Sequence, residues 1–165
     1  MRDAIPISGP DSPYSWIRLL GALLVGTVTS VGMWSVVVVL PAVQDEFGIA
    51  RADASLPYTL AMVGFGFGTI LMGRVADRVG IIIPIIASAI CLSLGFIVAG
   101  FAPSLLWFAI AHGVLIGVGT GASFAPLMAD ISFWFIKRRG LAVVVAACGS
   151  YLAGVIWPMV LRYSI

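Results

Sequence analysis

Charge is scarce in this chain: only 10% of its 165 residues are Asp, Glu, Lys or Arg, and it holds one histidine and two cysteines. So few ionisable groups leave little material for an enzyme site. There is no Gly-x-Ser-x-Gly elbow, no cluster of histidine with carboxylates and no metal-ligand spacing, so neither catalysis nor a cofactor is expected. A formal net charge of +2 is too weak for a nucleic-acid footprint, and the cations sit at the edges of apolar runs, where lipid phosphate is the nearer partner. Asp45, Glu46, Arg51 and Asp53 gather in one short stretch that reads as a solvated loop. Cys91 and Cys148 fall inside apolar runs, where they act as small apolar side chains, and no disulfide is expected.

What fills the chain instead is hydrocarbon. Hydrophobic residues make up 61% of it and the mean hydropathy is +1.14, more than a soluble domain of this length needs for a core. The solvent is lipid, and the bilayer is the first partner. Apolar runs of bilayer-crossing length lie at 17–40, 56–73, 81–101, 104–128 and 141–161. An all-α membrane protein with five transmembrane helices is predicted. Positive charge is retained on the cytoplasmic side, and one orientation places Arg2, Arg18, Arg74, Arg78, Lys137, Arg138 and Arg139 there, against Arg51 and Arg162 outside. The N-terminus is then cytoplasmic. The first apolar stretch is longer than a signal-peptide core and is followed by more spans, so it reads as a retained helix. Residues 1–16, with Pro6, Gly9, Pro10 and Pro13, read as a disordered cytoplasmic leader. Trp16, Tyr58, Trp107, Trp134 and Tyr163 fall at span ends, where amphipathic rings prefer the interface.

Inside the spans, small and polar residues are ordered. Gly64 and Gly68 in the second span, Gly113, Gly117 and Gly121 in the fourth, and Gly149 with Ala153 in the fifth recur every four positions, lining helix faces that let backbones approach. Pro84 sits in a first helical turn, where its missing donor has no partner anyway, while Pro126 and Pro158 can bend the fourth and fifth spans. Polar groups at membrane depth are costly, so they mark candidate sites. His112 lies about two turns into the fourth span, where it can bind a proton or hydrogen-bond a neighbouring helix. Thr27, Ser30, Trp34, Thr120 and Tyr151 complete the candidate cavity wall, with Thr29 and Ser123 as further hydroxyls, although such hydroxyls often bond their own backbone. Between the second and third spans, Gly73, Arg74, Asp77, Arg78 and Gly80 read as a charged hinge: glycines for the bend, and charges matched to the helix ends. After the fourth span, residues 130–140 form an amphipathic exit ending in Lys137, Arg138, Arg139 and Gly140. Asp130 is expected to pair with Arg78 and so lock this edge in one conformational state.

The order Gly73, Asp77, Arg78, Gly80 resembles the signature between the second and third helices of the major facilitator superfamily, except that Ile81 and Ile82 stand where it usually continues with basic residues. The glycine run 113–121, Pro126, the stretch 134–142 (Trp-Phe-Ile-Lys-Arg-Arg-Gly-Leu-Ala) and Gly149-Ser150 resemble the monocarboxylate and oxalate/formate branch, and together the likeness covers most of residues 17–160. Two departures stand out. The first span lacks the acidic, glycine-rich opening of many animal monocarboxylate carriers, and the fourth lacks the arginine of drug and sugar carriers. The resemblance implies two six-span halves rocking about a central site by alternating access. It further implies a secondary transporter for small organic anions such as monocarboxylates, by proton symport or exchange, in the bacterial inner (plasma) membrane. Five spans would make this an incomplete N-terminal six-helix half of that fold, truncated before the sixth helix. The basic residue for the substrate carboxylate would lie in a missing C-terminal half that transport requires. The alternatives are a drug or amphiphile exporter of the same fold and a non-transporting membrane interaction fragment.

Overall fold

In lipid every backbone N–H and C=O must be bonded within the protein, and helices meet that requirement one segment at a time. The structure is a computed structural model that describes residues 9–50, 53 and 55–163, and it contains no strand among them. Five helices are long and apolar enough to cross a membrane: α1 (Pro13–Phe47), α2 (Leu56–Val79), α3 (Ile82–Gly100), α4 (Leu105–Trp134) and α5 (Arg139–Arg162). Two are composite. Ser30, with ψ near 0°, separates Pro13–Thr29 from Val31–Phe47 in α1, and α4 carries a π-helical turn at Ala111–Gly117.

The helices outrun the apolar segments because backbone hydrogen bonding does not stop where hydropathy falls. This corrects the hinge. Gly73 and Arg74 lie inside α2, which continues through Arg78 to Val79, and the break comes at Gly80 alone, whose φ of 83° needs a residue without a Cβ. It also corrects the leader. α1 begins at Pro13, and the residues before it are fastened down: Ser15 Oγ donates to the Gly9 carbonyl at 3.1 Å, and Asp11 N–H donates to the Trp134 carbonyl at 3.0 Å. The Asp11 carboxylate accepts the backbone N–H groups of Ile136 and Lys137, in the link between α4 and α5, at 3.3 and 3.1 Å. Residues 1–8 of that leader lie outside the described residues.

Packing follows two glycine seams. α2 lies against α4, and α1 against α5, while α3 covers α4 from another side. A Cβ at Gly64 would strike the Gly113 carbonyl, one at Gly117 would strike the Ala61 backbone, and one at Gly121 the Phe65 carbonyl. Gly68 meets Val118 and Gly113 meets Leu60 in the same seam. Across the other seam, Gly149 leaves space for the Leu23 carbonyl and the Thr27 N–H. At the edge holding the start of α1 and the end of α4, a cluster formed by Leu19, Ala22, Leu127, Ile131, Phe135 and Ala142 closes the bundle. Ile81, standing where the resembled signature has a cation, packs against that cluster, while Ile82 is exposed.

Gly66 shares α2 with Gly64, but nothing stands within 4 Å of where its Cβ would be. Gly64→Ala is therefore expected to destabilise the protein by about 1–3 kcal/mol through overpacking, and Gly66→Ala to leave it unchanged. Thermal midpoints of the two variants in detergent check this, and equal midpoints would remove the α2–α4 seam as a source of stability.

Candidate functional site

Ser30 breaks the regular ladder of α1 midway along the helix, and there its hydroxyl turns to a neighbour: Ser30 Oγ donates to Ser150 Oγ of α5 at 3.0 Å. One turn on, Trp34 Nε1 donates to the Ser150 carbonyl at 2.9 Å. The indole fits because Gly154 presents no side chain beneath it. These residues, with Phe65 of α2, Phe124 of α4 and Tyr151 of α5, line a cavity of about 200 Å³. Phe65 and Phe124 form one wall, their ring centroids 5.6 Å apart, and Tyr151 is 73% exposed at the rim. Below the cavity Ser123 Oγ donates to Thr29 Oγ1 at 2.8 Å, and Trp157 Nε1 donates to the Thr27 carbonyl at 2.8 Å. The cavity thus has hydroxyl and indole groups on the α1–α5 side, aromatic rings on the α2–α4 side, and no charged residue in its lining.

Of the six residues expected to form one cavity wall, the structure brings together Ser30, Trp34 and Tyr151. Thr27 and Thr120 satisfy their own helices, donating to the Leu23 and Ile116 carbonyls at 2.8 Å each, and line neither this cavity nor the next. His112 belongs to a second cavity of about 370 Å³ toward the opposite edge of the bundle. Ser150, Phe65 and Phe124 were not foreseen as lining residues. The small-residue stripe of Ser150 with Gly154 was the available signal, and it pointed to the α1–α5 contact that positions Trp34.

The conformational candidates lie at the basic edge, where the ends of α2 and α4 meet the starts of α1, α3 and α5. Asp130 does not pair with Arg78. Its two oxygens accept from Arg18 Nη2 at 3.0 and 2.9 Å, and the same guanidinium lies 4.6 Å from the centre of the Trp134 ring. Leu127 and Ile131 pack on Leu19 and Ala22, so Asp130 faces the first turns of α1. Arg78 and Asp77 are exposed at the end of α2, and among the described residues neither joins an ion pair. Arg139 Nη2 donates to Ser132 Oγ at 3.1 Å, tying α5 back to α4, and Arg138 lines a shallow cleft with Lys137, Trp16 and Phe135. The six described cations at this edge face Arg162 alone at the end of α5.

Comparison with known proteins decides the family, since residues 22–164 match the profile of the Major Facilitator Superfamily. The chain belongs to the Major Facilitator Superfamily. That membership places it among integral membrane transporters and not among enzymes. The chain is 37% identical over 101 residues to the Fujikurins efflux protein of Gibberella fujikuroi, a stretch covering 61% of the chain and 22% of that protein. It is 29% identical over 157 residues to the MFS-type transporter pytF of Aspergillus terreus, covering 93% of the chain and 53% of that protein. With mouse Monocarboxylate transporter 6 it is 26% identical over 154 residues, covering 93% of the chain and 33% of the relative. The chain therefore spans between about a fifth and about half the length of these relatives.

Removing one member of the partly buried Arg18–Asp130 pair strands the other. Asp130→Asn is expected to lower stability by about 1–3 kcal/mol, the joint change Arg18→Met with Asp130→Leu to recover most of that loss, and Arg78→Met to have no effect. A double-mutant cycle on thermal midpoints measures all three. Sensitivity to Arg78 equal to that of Arg18 would return the pairing to the hinge.

Proposed function

We propose that these helices belong to a secondary active transporter that moves small organic anions, such as monocarboxylates, by alternating access, with a proton as coupling ion or by exchange. The observation that carries this reading is the Ser30–Trp34–Ser150–Tyr151 cavity. Its hydroxyls are hydrogen-bond donors, which suit carboxylate oxygens, and no carboxylate of the protein lines it to repel an anion. A polar group in the middle of a membrane bundle is expensive unless function retains it, and here four cluster around one break in α1. The cavity also lacks a cation. In this reading the substrate's charge is met by a basic residue on helices outside these five, contributed by a second half packed against the open side of the cavity. The basic edge lies in the cytoplasm of a plasma membrane, by the retention of positive charge.

A second reading has its own support. Phe65, Phe124, Met33 and Trp34 give the cavity a greasy side, and one relative is named as an efflux protein. An amphiphile exporter would use that wall and need no fixed charge.

The test is transport by vesicles bearing the full-length protein that contains these helices, with labelled lactate, oxalate and formate on one side and an amphiphilic dye on the other. Accumulation of a carboxylate that collapses when the proton gradient is dissipated is the expected result. Tyr151→Phe and Ser150→Ala are expected to lower that uptake about 10-fold each, the loss of one hydrogen bond to a charged group. Movement of dye without any carboxylate would select the exporter, and movement of neither would end both readings.

A further inference from the structure

The second cavity is not part of the path just described. The two cavities share no lining residue, and Ile116 of α4, 0% exposed, packs its branches against the bare backbones of Gly32 on α1 and Gly95 on α3. His112 lines the second cavity, seven residues into α4 and so about 10 Å from its start. It lies in the π-helical turn, a distortion of the helix ladder that recurs at functional sites.

The ring's chemistry is set by one hydrogen bond. Nδ1 lies 3.0 Å from the Phe108 carbonyl, and a carbonyl oxygen only accepts, so Nδ1 carries hydrogen and Nε2 of the neutral ring holds the free lone pair. Among the described residues Nε2 has no hydrogen-bond partner. It is not sealed in either, because the one buried side-chain polar atom without a partner among the described residues is Ser88 Oγ. With His112 only 2% exposed overall, the remaining opening at Nε2 is the 370 Å³ cavity it lines. Glu46, exposed near the end of α1, lines the same cavity, as does Ser35, whose hydroxyl donates to the Gly32 carbonyl at 3.4 Å. The Phe108 ring sits 4.3 Å from the imidazole, a π-face that favours a cation. Among the described residues no other titratable side chain lines this space. α2 meets the π turn through Leu60, Ala61 and Gly64, α3 offers Phe96, Ala99 and Gly100, and α5 offers Leu161, while Asp53 and Arg162 line separate clefts.

We propose that this cavity is a proton-binding site, with His112 Nε2 as the acceptor and Glu46 as the group that exchanges protons with bulk water. In the loading step the O–H bond of the Glu46 carboxyl breaks and an N–H bond forms at Nε2, the proton passing along water in the cavity. Glu46 is left as a carboxylate, and the ring as an imidazolium that still donates from Nδ1 to Phe108. Hydronium in the bulk water then gives a proton to the Glu46 carboxylate and is left as water, and unloading reverses each step. The two cavities have no lining residue in common, so the two cargoes occupy different places in the bundle. A role in coupling rests on the transport reading above, but binding of the proton does not.

His112 is the single histidine of these 165 residues, so this chain made with isotope-labelled histidine, without a histidine tag, and placed in lipid nanodiscs gives one imidazole signal. Nuclear magnetic resonance is followed from about pH 8.5 to about pH 4.5, bracketing the ordinary histidine value. The expected result is a neutral ring protonated at Nδ1 at high pH that converts reversibly to the doubly protonated ring, with a midpoint that Glu46→Gln lowers by about 0.5 unit or more, the effect of removing a nearby carboxylate. Three results overturn it: a ring protonated at Nε2 at high pH, a signal that never changes while the helical circular dichroism persists, or a midpoint indifferent to Glu46→Gln. The readout involves no transport. A failed titration would leave carboxylate transport standing, and failed transport would leave the proton site standing.

Discussion

Close backbone approach is the constraint on which this bundle rests. Lipid tails are as apolar as the side chains facing them, so helices gain nothing by hiding leucine from lipid, and association depends on packing and on interhelical hydrogen bonds. The glycines at 64, 68, 113, 117 and 121 bring the backbones of α2 and α4 into contact, and Gly149 does the same for α5 against α1. Everything functional is placed by those two seams. Phe65 reaches Phe124 because α2 and α4 touch, and Trp34 reaches the Ser150 carbonyl because α1 and α5 do and because Gly154 leaves room for the indole.

Once the seams are set, the polar groups sort into two kinds. Thr27 and Thr120 donate to carbonyls one turn back, which satisfies them without adding cohesion between helices. The bonds Ser123–Thr29, Ser30–Ser150, Trp34–Ser150 and Trp157–Thr27 cross between helices, and all of them end on α1 between residues 27 and 34. The irregular Ser30 is at the centre of that stretch. A helix interrupted where four interhelical bonds converge is held in place by its neighbours more than by its own ladder. The middle of α1 is therefore the part of the bundle most responsive to what enters the cavity.

How much of this is written in the sequence depends on which dimension is asked for. Depth is legible: hydropathy locates the five spans, and it puts Trp34, Tyr151 and His112 away from the interfaces. The direction a side chain faces around its helix is not legible, because it depends on which helices become neighbours. That is why His112 and Trp34, both polar groups at membrane depth and both expected on one cavity wall, line two different cavities. The same gap misdirected Asp130. Arg78 is the nearer cation in sequence, but the face of α4 that carries Leu127 and Ile131 turns Asp130 toward α1, and its partner lies 112 residues away. Ends were the other loss. Glycine and charge at 73–80 suggested a turn throughout, whereas an interfacial helix tolerates both, and only the left-handed requirement at Gly80 enforces the break.

The basic edge shows what the unusual Ile81 does. A cation there would strengthen a network around the α2–α3 turn, yet that turn carries exposed charges, and Ile81 instead extends the hydrophobic cluster beneath it. The electrostatic work has moved to the other side of the edge. Asp11 holds the N–H groups of Ile136 and Lys137, Arg18 holds Asp130 beneath the Trp134 ring, and the Tyr14–Trp134 and Trp16–Phe135 rings pack edge to face. These contacts join the start of α1 to the end of α4 and the beginning of α5, the same three helices whose middles hold the hydroxyl side of the cavity and Phe124. Fastened at one end and bonded in the middle, α1, α4 and α5 are one packed group, and the glycine seam from α2 to α4 ties α2 to it, so the bundle is held together by backbone contact in its interior and by ion pairing and ring contacts at its basic edge.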